Sequence, residues 1–89
     1  MPQFAISDAN WKRFLKDVYR LRRQGVSVPP EIAADMIRAR AEALVCSGEE
    51  GDLVAAIQAA RSQVAAANPD ITNVVSENAV LTIYPDPLC

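Results

Sequence analysis

Apolar side chains in the first third of the chain recur at spacings of three and four residues, which place them on one face of a helix: Trp11, Phe14, Leu15, Val18 and Leu21. Ser7 or Asp8 precedes this series, and either side chain can accept hydrogen bonds from the first free amides of a helix. Gly25 follows it, and glycine readily adopts the left-handed conformation that ends helices. The pattern predicts a first helix over about residues 8–24.

Two further segments have helical character and recognisable boundaries. Pro30 suits the first position of a helix, where a backbone amide hydrogen is not needed, and a second helix is predicted over about residues 30–47. A third helix is predicted over about residues 52–68, with Asp52 as its capping residue. Ser47 is an alternative start, because a glutamate three residues later completes the spacing of a capping box.

The end of the chain changes character. The stretches ITNVV and AVLTIY are rich in β-branched residues and are separated by SEN, a pattern typical of two strands joined by a turn. We therefore predict a hairpin over residues 71–84, packed on the helices because an isolated hairpin is only marginally stable. The predicted fold is α-rich with a minor β part: one compact three-helix domain, residues 1–89, with a short C-terminal β-hairpin.

An arginine lies on the apolar side of the predicted second helix. Arg40 is near the middle of an arc formed by Ile32, Ala33, Met36, Ile37, Ala43 and Leu44. Two interpretations stay open: Arg40 anchors an interface with a protein partner, or its stem lies along the apolar face while its tip pairs with a carboxylate at the edge. In the first case the predicted partner-binding residues are Arg40, Met36, Ile37 and Arg61.

Charge is distributed unevenly along the chain. The net charge is −2, yet residues 1–25 hold six of the nine cations and only two of the eleven carboxylates. On the first helix the candidate nucleic-acid contacts are Lys12, Arg13, Lys16, Tyr19, Arg20 and Arg23, with the tyrosine placed to stack on a base. The competing interpretations are a solvated helix face and attraction to acidic protein, either in this chain or in a neighbouring copy. The overall acidity and the lack of a second basic element favour protein over nucleic acid.

The sequence lacks the residues that most catalytic mechanisms need. There is no histidine, and Cys46 and Cys89 are too far apart in sequence for a zinc-binding pair. The three glycines do not form a phosphate-binding loop. The one candidate nucleophile is Pro2, which would need removal of Met1 to free its amine. We therefore expect no enzyme, no metal and no cofactor.

Compartment and function follow from these exclusions. No apolar run is long enough to span a membrane, and the N-terminus lacks the apolar stretch of a signal peptide, so we expect a cytoplasmic protein with reduced cysteines. The leading hypothesis is a non-catalytic protein-binding module: an adaptor, an inhibitor or a small subunit of a larger assembly, acting through apolar helix faces. Its partner is another protein or a second copy. The alternative is a nucleic-acid-binding protein that uses the basic first helix.

Overall fold

The computed structural model describes residues 6–82, which form five α-helices and contain no β-strand. The helices are α1 (Asp8–Arg23), α2 (Pro30–Cys46), α3 (Leu53–Ala67), α4 (Pro69–Val74) and α5 (Glu77–Leu81). The first three lie within one or two residues of the predicted limits, but the prediction of only three helices is wrong. Pro2 and Cys89 lie outside the described residues.

Local hydrogen bonds explain where the long helices begin and end. The Ser7 hydroxyl accepts from the amide of Asn10 at 3.2 Å and caps α1. Gly25 ends α1 with a φ of 73°, and the following amide donates back to the carbonyl of Leu21 at 2.9 Å. Asp52, and not Ser47, caps α3 by accepting from the amide of Ala55 at 2.8 Å.

The predicted β-hairpin is wrong, because its described part, residues 71–82, is largely helical; residues 83–84 lie outside the described residues. The Asn68 side chain accepts from the amide of Asp70 at 3.0 Å and starts α4, with proline at the first helical position. The Ser76 hydroxyl accepts from the amide of Ala79 at 3.1 Å and starts α5. The stretch SEN, interpreted as a turn, is therefore a helix cap and the start of a helix.

Packing explains why β-branched residues form helices here. Ile71 and Val75 are four residues apart and both are buried, as is Val80. The preference of β-branched residues for strands mainly reflects how well their side chains pack on a half-buried surface. These residues therefore also form helices where a helix buries the same side chains in the core. Helices of six and five residues are not stable alone, and these two depend on the core that they cover.

The core is one continuous cluster centred on α3, which packs against each of the other four helices and most extensively against α2. Alanine is prominent in it: Ala33, Ala41, Ala56 and Ala60 are fully buried. Small side chains allow helices to approach closely but bury little area each, so larger residues matter individually. Trp11 of α1 is the largest, and its indole nitrogen donates to the side-chain oxygen of Gln63 on α3 at 2.6 Å.

The buried side of α2 includes an ion pair that the sequence analysis missed. Arg38 and Glu42 are only 1% and 2% exposed, and the arginine Nε donates to the carboxylate at 3.3 Å. Arg38 also donates to the carbonyl of Leu81, at the end of α5, at 3.3 Å. The second carboxylate oxygen of Glu42 has no hydrogen-bond partner among residues 6–82.

This burial also corrects the predicted orientation of α2. Ile32, placed on the apolar arc, is 52% exposed, whereas Arg38 and Glu42 are inside. The buried face of α2 is centred about a quarter of a turn away from the predicted face, and it includes Ala34 and Ala41. Alanine contributes little to a hydrophobicity pattern, because its side chain is small. The larger Ile32 therefore shifted the predicted buried face away from the one that the alanines form.

We expect Arg38→Met to lower the free energy of unfolding by about 3–5 kcal/mol, because it leaves the Glu42 carboxylate buried without its cation. The double variant Arg38→Met/Glu42→Leu should recover much of this loss, since neither charge then remains. Urea unfolding followed by the fluorescence of Trp11 measures both. Arg22→Met, on the exposed surface of α1, is the control and should change stability by less than about 0.5 kcal/mol. Equal midpoints for Arg38→Met and Arg22→Met would contradict the prediction.

Candidate functional site

The predicted partner-binding residues do not form one exposed surface. Ile37 is fully buried in the core and is not available to a partner. Arg61 donates to the carbonyls of Thr72 and Val75, both at 3.2 Å, and so ties α3 to the end of α4. Met36 is partly buried beside Phe14 of α1. The predicted contact surface is therefore largely used inside the fold.

Arg40 pairs within the chain, as the second interpretation of its position expected. Its guanidinium donates to the carboxylate of Asp8 at the start of α1. The Arg40 side chain is only 12% exposed, whereas that of Asp8 is 76% exposed. The Nε atom of Arg40 is buried and has no hydrogen-bond partner in the part of the chain that the structure describes. A partner contact for Arg40 stays a prediction, and most of its surface is already enclosed.

A groove of about 310 Å³ lies between the start of α2 and the junction of α4 with α5. We call it the acidic-edged groove, and its lining residues are Pro30, Glu31, Ala34, Asp35, Val74, Val75 and Ala79. Apolar atoms form most of its surface, and among the described residues its charged lining consists of the two carboxylates, Glu31 and Asp35. It is a small apolar hollow that carries negative charge.

The local sequence accounts for both properties of the groove. Glu31 and Asp35 are four residues apart, so they lie on the same side of α2 about 6 Å apart along its axis. Ala34 and Ala79 have short side chains, which leaves the hollow open between them. Val74 is 63% exposed, the highest value among the large hydrophobic residues in the described part of the chain. Neither carboxylate forms an ion pair within residues 6–82.

The cations of α1 remain on the surface. We call this surface the basic face, and its cations are Lys12, Arg13, Lys16, Arg20 and Arg23. Arg22 is also exposed, but it lies on a different side of the helix. Arg20 pairs with Asp17 at 3.2 Å, and the other four cations of the basic face form no ion pair within the described residues. The nucleic-acid residues predicted from the sequence therefore do lie together.

An aromatic residue lies within the basic face. Tyr19 is 53% exposed, and the guanidinium carbon of Arg23 lies 6.0 Å from the centre of its ring. Tyr19, Arg20, Arg23 and Gln24 border a shallow depression of about 380 Å³. Cations around an exposed aromatic ring suit contact with an anionic surface that also has an apolar part.

The described residues contain neither a metal-binding cluster nor a membrane-spanning helix. No group of three or more potential metal-binding side chains is close enough to hold an ion among residues 6–82. None of the helices described is long and apolar enough to cross a membrane. Cys46 is disulfide-bonded in the structure, so the expectation of a reduced thiol there is wrong.

The ion pair of Asp8 with Arg40 predicts a pH dependence. The hydrogen bond from Arg40, together with its positive charge, lowers the pKa of the Asp8 carboxyl below its ordinary value of 3.8. Because the folded-state pKa is the lower one, the pair stabilises the fold above the ordinary pKa, and this contribution is lost as the pH falls through the folded-state pKa.

We expect an NMR titration of Asp8 to show a midpoint below 3.8 that moves up towards that value in Arg40→Gln. Arg22→Gln, near the opposite end of α1, is the matched control and should leave the midpoint unchanged. An identical midpoint in the wild type and in Arg40→Gln would show that the pair does not hold the carboxylate in solution.

Comparisons of this chain with models of protein families, with curated proteins and with solved structures find no match.

Proposed function

We propose that the chain is a non-catalytic protein-binding module, acting as an adaptor, an inhibitor or a small subunit of an assembly. In this proposal the acidic-edged groove receives a segment of the partner that carries both positive charge and an apolar side chain. The observation that carries it is the combination of an apolar hollow with two carboxylates that have no ion pair in the described residues. An apolar side chain of the partner is stabilised by burial in such a hollow. The two carboxylates favour a partner that carries cations next to that side chain.

The rest of the molecule supports placing the contact at this groove. Ile37 and Arg61, expected at the interface from the sequence, are used in the core and in hydrogen bonds within the chain. Val74, at the groove, keeps most of its side chain exposed. Apolar surface next to unpaired charge is typical of a contact region, since both gain from being covered by a complementary partner.

The proposal is tested by selecting displayed random 12-residue peptides on the immobilised protein. We expect the retained peptides to combine Lys or Arg with an aromatic or aliphatic residue. Val74→Asp should weaken their binding about tenfold or more, because it places a charge where the apolar anchor is buried. Glu31→Lys/Asp35→Lys should weaken it similarly by reversing the charge of the groove edge.

Val54→Asp provides the matched control for the peptide experiment. Val54 is also an exposed valine, but it lies on α3 and does not line the groove, so peptide binding should stay at the wild-type level. Circular dichroism of each variant checks that the helices remain. A failure to enrich any peptide, or equal binding by Val74→Asp and Val54→Asp, would refute the proposal.

Nucleic-acid binding is the second candidate function. The observation that favours it is the presence of four cations on the basic face that form no ion pair within residues 6–82. It predicts binding to a 20-nucleotide duplex or single strand whose affinity falls steeply with salt, because bound cations displace counterions from phosphates. Lys12→Ala/Lys16→Ala should reduce the salt slope by about 2 if both contact phosphates. Fluorescence anisotropy in low salt measures this, and an unchanged signal with both nucleic acids eliminates the candidate.

A further inference from the structure

We propose that the segment received by the acidic-edged groove is the basic face of a second copy of this chain. The inference rests on the proposed function, because it names the partner for the same groove. It assigns to the protein a self-association in which Tyr19 is the apolar anchor and its neighbouring cations meet the groove carboxylates.

The charges of the two surfaces match in number and spacing. Glu31 and Asp35 are four residues apart on α2, and Lys16 and Arg20 are four residues apart on α1. Each pair therefore spans about 6 Å along its helix. Two antiparallel or parallel helices could bring each cation opposite one carboxylate, and opposite charges placed in this way fix the register of an interface.

The apolar parts of the two surfaces also correspond. Tyr19 lies directly before Arg20 in the chain, and about half of its side chain is exposed on α1. At the groove, Val74 and Ala79 offer apolar surface around a hollow. Burial of a tyrosine ring against such residues removes apolar area from water on both sides, and tyrosine and arginine are the residue types that interfaces favour.

The basic face of a molecule does not border the acidic-edged groove of the same molecule. α1 packs on α3, whereas the groove is lined by residues of α2, α4 and α5 and by none from α1. The exposed cations of the basic face are consequently available to another molecule, and Arg20 would exchange its solvent-exposed partner Asp17 for a groove carboxylate. A second copy carries the acidic-edged groove, whose charge is opposite to that of the basic face. The net charge of −2, in contrast, weakens attraction to a nucleic acid.

The experiment exchanges the charges between two variants and follows mass by light scattering over a concentration series. One variant is Glu31→Lys/Asp35→Lys, in which a basic groove faces a basic α1. The other is Lys16→Glu/Arg20→Glu, in which an acidic α1 faces an acidic groove. We expect the wild type to associate, and each variant alone to associate about tenfold or more weakly through repulsion.

Mixing the two variants gives the decisive result. The basic groove of one variant then meets the acidic α1 of the other, and the acidic groove meets the basic α1, so both contacts join opposite charges. The mixture should therefore regain the wild-type association, and added salt should weaken that association. Glu49→Lys/Glu50→Lys makes the same change of net charge away from the groove and should associate like the wild type. Circular dichroism verifies that every variant is folded.

Two outcomes overturn the self-association. One is a mixture that associates no better than either variant alone. The other is a wild-type chain that stays monomeric over the whole concentration series. If that monomer still retains the selected peptides in a manner sensitive to Val74→Asp, the proposed protein-binding function stands and only the identity of the partner is wrong. If it retains none, both proposals fall together.

Discussion

The close packing of α2 on α3 is the constraint on which the rest of this structure depends. Both helices present fully buried alanines, among them Ala33, Ala41, Ala56 and Ala60. Short side chains let two helices approach closely. Arg38 and Glu42 are buried on the same helix, and Arg38 donates to the carbonyl of Leu81, at the end of α5. A buried ion pair adds little net stability, but loss of either member is costly. The packing of α2 therefore makes this pair a requirement of the fold.

The same packing decides which surfaces remain for a partner. Since α3 contacts every other helix, the two short helices cover one side of the α2–α3 pair and leave the acidic-edged groove at the start of α2. α1 is held on α3 through the buried Trp11 and keeps its cations in solvent. The uneven charge along the sequence thus becomes two distinct surfaces, one acidic with an apolar floor and one basic with an exposed tyrosine.

Arginines illustrate how the fold changes the meaning of a charged residue. Arg40 and Arg61 were both candidates for a partner contact, yet one pairs with Asp8, as the second interpretation of Arg40 expected, and the other donates to carbonyls at the end of α4. Arg40 links two elements that are distant in sequence, whereas Arg61 links the consecutive helices α3 and α4. Asp8 balances the charge of Arg40, and two carbonyls accept hydrogen bonds from Arg61, whereas most cations of α1 form no ion pair within the described residues. The candidate interface consequently lies elsewhere than the residue types alone suggested.

The sequence by itself determined the three long helices and their ends, because caps such as Ser7 and Asp52 and the stop at Gly25 act through bonds to neighbouring residues. It also determined that the cations of α1 share an exposed surface. Only the tertiary structure decided the helical state of residues 71–82 and the direction in which α2 faces, since both depend on contacts with distant elements. The groove has the same origin: its residues come from three helices, and no local pattern brings them together.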